Sequence, residues 1–441
     1  MGRRAKANPW AYEQVPTIAP SSADSSAILP LEEETIPTII GDGWRNGRAE
    51  VDDGQGILGK LYPHGIEWLA EHGVQLFGWY MIATQGNPVG GQDRAFRYTG
   101  LWDFGLDLDM GTMANLHGLW IHVSGSWASG KNLSTDIGTF APVNTVYSGK
   151  SMRFFEAYLE QRMFGDRLSI RVGRVSVGWE YGLEYEYFTQ YLSGVFRLNV
   201  FSLAAATPNF AEIPYSNWGM RVRYTPNLHW RLQASFMNGY PQDFSAPNKH
   251  GLDFKFQPQK GSFFIVEGSY QWVPSDEERN RNPGRLPGRL ILGAYYDTGP
   301  FDLVNGTMGT DRGLATGYAI VRQKLWEPAL DSSRGLVGWT SATVSGKQNI
   351  VELPWFWSGG LVWTGLIPRR HKDVLAFGFA NEFFSKDVPN QSYEITLEAA
   401  YSVNATTWIT LTPDFQYIVN PGGTHTTDNA FIAGMLTYLT F

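Results

Sequence analysis

The chain has 441 residues, with 49 Gly, no Cys, 15% aromatic and only 17% charged residues. That charge share lies well under the usual quarter of soluble domains, and the lack of Cys removes disulfides, thiolate metal sites and Cys nucleophiles together. Net charge is −7 with Lys and Arg scattered along the chain, which excludes the basic face that nucleic-acid binding needs.

Residues 1–40 are rich in Pro, Ser, Ala and Glu, and Pro16, Pro20, Pro30 and Pro37 break any helix. Such a stretch cannot bury enough apolar surface to order itself, so residues 1–43 are expected to form a flexible or extended N-terminal extension. Residues 44–72 read as a short periplasmic helical segment. Its helix spans about Ile57 to His72, with Leu58, Leu61, Trp68 and Leu69 as apolar residues. Pro63 interrupts it, and Gly73 offers a C-terminal stop.

After residue 73 the hydrophobic period changes from helical to two. In Leu101–Met110, Trp102, Phe104, Leu106 and Leu108 alternate with Asp103, Gly105, Asp107 and Asp109. In Ser392–Ser402, Tyr393, Ile395, Leu397 and Ala399 alternate with Glu394, Thr396, Glu398 and Ala400. The same holds for Thr407–Val419, where Thr410, Thr412, Asp414 and Gln416 form the polar set. Successive strand side chains point to opposite faces, so each strand has an apolar face and a polar one.

No run reaches the ~18 apolar residues of a helical membrane span, but many alternating segments reach the ~10 residues of a tilted membrane strand. About 16 segments follow residue 73, counting the weaker Phe196–Ala206 and Leu252–Phe256, and bacterial barrels have even strand numbers. The fold class is therefore all-β: a transmembrane antiparallel up-and-down β-barrel over 73–441, preceded by a short helix. A wall with lipid outside and water inside also gives the many aromatic rings a place, as girdles at the two interfaces. Trp79, Tyr80, Trp272, Tyr295, Tyr296 and Tyr438 are read as such anchors, and Trp355, Trp357 and Trp363 share a lipid-facing parity.

Short connections at Phe164–Asp166, Thr225–Asn227 and Val403–Ala405 are assigned to periplasmic turns. Long ones near Gly86–Arg97, Gly130–Ser151, Pro274–Gly288 and Asp297–Gly313 are assigned to outer loops or to a loop folded inward. The last strand, Phe431–Phe441, ends on an aromatic, as the signal read by outer-membrane assembly does. Unpaired backbone groups in hydrocarbon cost several kcal/mol each, so this strand should pair with the first, Gly73–Thr84. Met1-Gly2-Arg3-Arg4 is not followed by an apolar run, so the signal peptide that export requires is taken as removed or replaced.

Several stretches resemble the carbohydrate-selective porins of the OprB family. Trp44-Arg45-Asn46-Gly47-Arg48 and Trp68-Leu69-Ala70-Glu71-His72-Gly73-Val74 are similar to that family's entry helix and first strand. Glu156–Gln161 with Gly165–Gly173 is similar to its hairpin of an acidic and a basic strand; Asn217–Asn227 and Trp363–Arg370 also fit. The strongest likeness is Pro413-Asp414-Phe415-Gln416-Tyr417, running on to Asn420-Pro421-Gly422-Gly423. Val51–Leu61 looks like an insertion relative to the family. The resemblance implies a 16-stranded barrel in the bacterial outer membrane and passive uptake of small carbohydrates. Its surroundings would be lipid and lipopolysaccharide, with the N-terminal extension free to meet a periplasmic partner. Monomer and homotrimer both remain open, as do other small polar solutes or organic acids as cargo.

Parity nominates the pore-lining, substrate-contacting set: Asp103 and Asp107; Glu156, Tyr158, Glu160 and Arg162; Arg171; Arg221, Arg223 and Arg231. Ser169 and Gln233 share those faces, while Leu168, Ile170, Val172, Met220, Val222 and Leu232 point to lipid. A sugar channel needs hydroxyl donors and acceptors that bind weakly enough to let the solute leave. The sharpest expectation is a basic ladder of Arg171, Arg221 and Arg223 facing Glu156 and Glu160 across a constriction.

No cofactor or metal is expected. Alternate carboxylates such as Asp103, Asp107 and Asp109 sit about 7 Å apart along a strand, too far for easy shared Ca²⁺ coordination. His64, Glu67, Glu71 and His72 lack the His-Glu-x-x-His pattern. A barrel-embedded hydrolase is the rival class, with His117, His122, Ser124 and Ser126 as its nearest ingredients and no Gly-x-Ser-x-Gly elbow. A soluble adhesin would show shorter strands and a polar outer face.

Overall fold

Period-two patterning with one face apolar and the other polar can close on itself only as a barrel, and it does. The computed structural model describes residues 56–239, 248–282, 284–329 and 333–441. The expected 1–43 extension and the Trp44-Arg45 motif lie outside the described residues. Sixteen antiparallel strands form one closed sheet, each paired with its chain neighbours and the first with the last. They are β1 Val74–Val89, β2 Phe96–Asp109, β3 Leu119–Gly130, β4 Met152–Met163, β5 Leu168–Val175, β6 Asn217–Tyr224, β7 Trp230–Asn238 and β8 Ser262–Trp272. The second half is β9 Gly288–Asp302, β10 Thr310–Trp326, β11 Gly335–Ser345, β12 Trp355–Thr364, β13 Val374–Phe383, β14 Tyr393–Asn404, β15 Ile409–Val419 and β16 Ala430–Thr440.

Closure runs from Trp79 opposite Thr440 to Val89 opposite Phe431, and the Phe441 N–H donates to the Gly78 carbonyl at 2.9 Å. No edge is left for hydrocarbon to desolvate. Among the described residues, two helices stand ahead of β1, α1 Ile57–Leu61 and α2 Pro63–Glu71, split where Pro63 takes the first position of α2. Gly73 then turns the chain into the wall at φ +79°, and a Cβ there would meet the Asp109 carbonyl at 2.8 Å.

The two faces separate cleanly on most strands. Arg171 is 1% exposed while its neighbour Val172 is 52% exposed, and Arg221 at 0% adjoins Met220 at 43%. Leu159, Leu232, Val266, Phe377, Leu397 and Phe415 continue the outer apolar band. Trp355 and Trp357 also stand exposed on the outer face.

Parity corrects three of the interface anchors. Trp79 and Tyr295 are buried on the inner face, and Tyr438 stacks on Trp79 there, ring centroids 6.1 Å apart. Adjacent residues cannot share a face, so Tyr80 and Tyr296, on the outer side, displace their neighbours from the lipid.

Loop assignments need correction too. Connections alternate between ends, which puts the one around Pro274–Gly288, with its helix Asp276–Arg281, at the same end as the short turns. The strands around Gly86–Arg97 and Asp297–Gly313 run further than expected, leaving connections of only 90–95 and 303–309. Phe196–Ala206 and Leu252–Phe256 are not strands: the first contains a helix, Phe201–Ala206, and the second is irregular.

Candidate channel interior

The longest described connection, 176–216 between β5 and β6, folds into the barrel rather than over it. It lacks period-two alternation and instead carries clustered aromatics, Trp179, Tyr181, Tyr185, Tyr187, Phe188, Tyr191 and Phe196. These need an apolar surface, and the inner wall of β8–β12 supplies one with Phe263, Ile265, Ile291, Ile320 and Trp339, all buried. Phe188 packs edge-on against Trp339 with centroids 4.8 Å apart. The Tyr191 hydroxyl donates to the Phe377 carbonyl at 2.9 Å and accepts from Trp339 Nε1 at 3.1 Å. Each such ring contributes about 1.5–3 kcal/mol by burial, which holds the segment against that wall.

A second connection, 131–150, also turns inward. Its short helix Leu133–Ile137 is capped by Asn132, whose side chain accepts from the Ser134 N–H at 2.9 Å. Leu133, Ile137 and Val143 pack on Ile418, Ala430 and Ile432 of β15 and β16. Gln416 donates to the Val143 carbonyl at 2.9 Å, and Asn144 donates to Gln85 at 2.7 Å. The two inward segments touch where the Gly194 N–H donates to the Pro142 carbonyl at 2.8 Å.

Charge organises the opposite wall. Arg171 and Arg221 are direct cross-strand neighbours, and Glu160 lies beside Arg171 on β4. The Glu160 carboxylate meets Arg171 at 3.1 Å, Arg221 at 3.3 Å and Arg162 at 3.3 Å. From the inward segment, Glu180 reaches the same group, pairing with Arg171, with Arg221 at 3.3 Å and with Arg223. Ser169 accepts from Arg221 at 2.7 Å, and Gln233 links Arg223 to Glu267 at 3.0 and 2.8 Å. Tyr158 lies under the Arg171 guanidinium at 4.6 Å.

Four guanidinium groups thus share two carboxylates in a buried network, where each charge depends on its partners. The remaining nominated residues fall around it. Glu156 does not face the ladder: it accepts from the Ser176 N–H at 2.8 Å, fixing the root of the inward segment. Its place opposite the arginines is taken by Glu180. Arg231 is buried on β7, within electrostatic range of Arg223, Arg289 and Glu267. Asp107 bonds His122 at 2.6 Å, and that imidazole is stacked between Phe77 and Tyr158. Asp103 is buried between Trp79 and Ser126 in the strand register.

Glu180 and Glu184 were missed because they lie off the strands, where parity gives no direction. Glu184 pairs with Arg322 at 3.2 Å and with Arg289 at 3.7 Å. The signal available was the acidic and aromatic run from Trp179 to Phe188, too rich in rings for a solvated loop.

Residues 93–441 match the family model described as carbohydrate-selective porin, OprB family. The chain belongs to that family. It is 26% identical to Porin B of Pseudomonas aeruginosa across 90% of both chains. It is 23% identical to the putative porin QuiX of Acinetobacter baylyi, over 66% of this chain and 70% of that one. Among solved structures, the high-pH structure of Pseudomonas putida OprB superposes with a TM-score of 0.77 at 23% identity, covering 86% of this chain and 97% of that one. Its fold is therefore that of this chain. Family and fold together make the protein a sugar-selective porin of the bacterial outer membrane, a channel by architecture.

Proposed function

We propose that small neutral carbohydrates pass beside the two inward segments, past a wall whose buried charged groups are already satisfied by one another. One observation carries this reading: Glu160 and Glu180 are each bonded to several of Arg162, Arg171, Arg221 and Arg223. Mutual compensation inside the wall removes the single-sign field of an ion filter from the passage beside it. Trp120, with Arg162 held over its ring at 4.8 Å, and the half-buried Tyr185 add faces for the apolar side of a pyranose. Glu186 and Gln190 add polar groups on the inward segment.

Asp103, Asp107, Tyr158 and Arg231 belong to this reading as inner-wall residues that shape the passage, and Glu156 as the residue that roots its inner wall. The test is planar-bilayer conductance with a graded sugar series. Arg221→Ala and Glu160→Ala should change conductance and weaken sugar-induced current block; unchanged values in both would refute the assignment.

A second reading has one observation in its favour: the network holds more guanidinium groups than carboxylates. It takes small organic acids as cargo. Reversal potentials in gradients of an organic anion separate the two readings, since a carbohydrate path stays weakly selective.

A further inference from the structure

The inward segments are held to the wall by more than packing. Glu394 on β14 accepts the N–H groups of Phe140 at 3.0 Å and Ala141 at 3.2 Å, one on each carboxylate oxygen. Four residues along the same strand, Glu398 accepts from Leu192 and from Ser193 at 3.2 Å, again one on each oxygen. Both side chains are buried, at 0% and 4% exposure. The two gripped stretches are the ones that meet at Gly194 and Pro142.

Each carboxylate has a second carboxyl beside it. Glu382 stands directly opposite Glu394 in the β13–β14 register and within its hydrogen-bonding reach. Asp414 on β15 stands diagonal to Glu398, opposite Ala400 in the β14–β15 register, and within its hydrogen-bonding reach. Among the described residues none of the four forms an ion pair, and Arg197 lies within electrostatic range of Glu398. Two carboxyl groups in hydrogen-bonding contact need one of them to donate, since two carboxylates can only accept. Glu394 takes three backbone donors, from Phe140, Ala141 and Gly422, and Glu398 takes two on separate oxygens. Asp414 accepts from Gln416 and Gln85 on Oδ1 alone, so Glu382 and the Asp414 Oδ2 are assigned the donor role.

We propose that Glu394 and Glu398 are positioning residues that set the bore of the channel, gripping the two inward segments where they touch, with Glu382 and Asp414 as their hydrogen-bonding supports. Two consecutive N–H groups need two acceptor oxygens, so an amide cannot replace either clamp without aiming its NH₂ at a backbone N–H. An amide can replace either support, because its NH₂ donates as the acid did. The same chemical change therefore has opposite consequences at neighbouring buried positions. A purely structural role for buried acids would not separate them.

The proposal rests on the reading that solute passes beside these segments. Glu394→Gln and Glu398→Gln are expected to shift open-channel conductance, add open-channel noise and lose sugar block. Glu382→Gln and Asp414→Asn should give wild-type traces. If a clamp variant fails to fold, as judged by heat-modifiable gel migration, Ala141→Pro removes one gripped N–H from the segment and leaves every wall side chain in place. It should reproduce the Glu394→Gln traces. Clamps and supports that behave alike, or clamp and Ala141→Pro variants with wild-type traces, overturn the proposal. Failure of the passage itself looks different, because the wild-type channel would then show no sugar block at all.

Discussion

Arg171 and Arg221 stand directly opposite each other on β5 and β6, two like charges in register and almost sealed from water. Such a pair destabilises a sheet unless something intervenes. Glu160 from the neighbouring strand and Glu180 from the inward segment each bond both of them. Half of that compensation arrives from outside the sheet, so the barrel wall and the segment that narrows it stabilise each other.

Removing Glu180 should therefore cost more than removing an ordinary surface acid. Glu180→Gln leaves Arg171, Arg221 and Arg223 with Glu160 as their remaining carboxylate in the network. Breaking a buried pair by deleting one partner typically costs about 3–5 kcal/mol. A lowered denaturant midpoint in detergent is expected, together with faster protease cleavage within 176–216. A midpoint equal to wild type would show that the arginines find other partners.

What could be read in advance follows from where alternation applies. On β2, β14 and β15 each residue's face was legible, because lipid outside and polar groups inside impose period two without interruption. Arg171, Arg221 and Arg223 share one buried face for that reason. Alternation failed at Trp79 and Tyr295, where an inner face turned apolar to receive the inward segment. It was silent on Glu180, whose position depends on the aromatic packing of a segment with no regular structure to give it direction. Of the ladder's two counter-ions, Glu160 follows from parity and Glu180 needed the three-dimensional fold.

The outer face makes its own prediction. Val266 lies mid-strand on β8 with 56% exposure, in the apolar band. A charge on the lipid face of a barrel costs about 2–4 kcal/mol at the bilayer midplane and little near the interfaces. Val266→Arg should lower folding stability in lipid vesicles by an amount within that range, while Val266→Leu stays neutral. No loss on Val266→Arg would place this face in water rather than hydrocarbon.

Glu212 gives the channel a titration near neutral pH. It lies on the inward segment against Gly178 and Asn199, half-buried, and the Asn199 amide donates to it. Burial pushes its carboxyl from the ordinary 4.5 up to about 7, with the Asn199 hydrogen bond pulling the other way. A carboxyl raised in the folded state is held there mainly as the neutral acid. Below its unfolded value it is protonated in both states and costs nothing; the cost grows as pH rises and is complete above the folded value. Between about pH 6 and 8 the wild-type channel should therefore gain cation preference, as one negative charge appears inside it. Over the same window the inward segment should become easier to cleave. Glu212→Gln removes the titrating group and keeps its size, so both changes should vanish in that variant. Reversal potentials measured across this window check the prediction, and a pH profile shared by wild type and Glu212→Gln would assign the titration to another group.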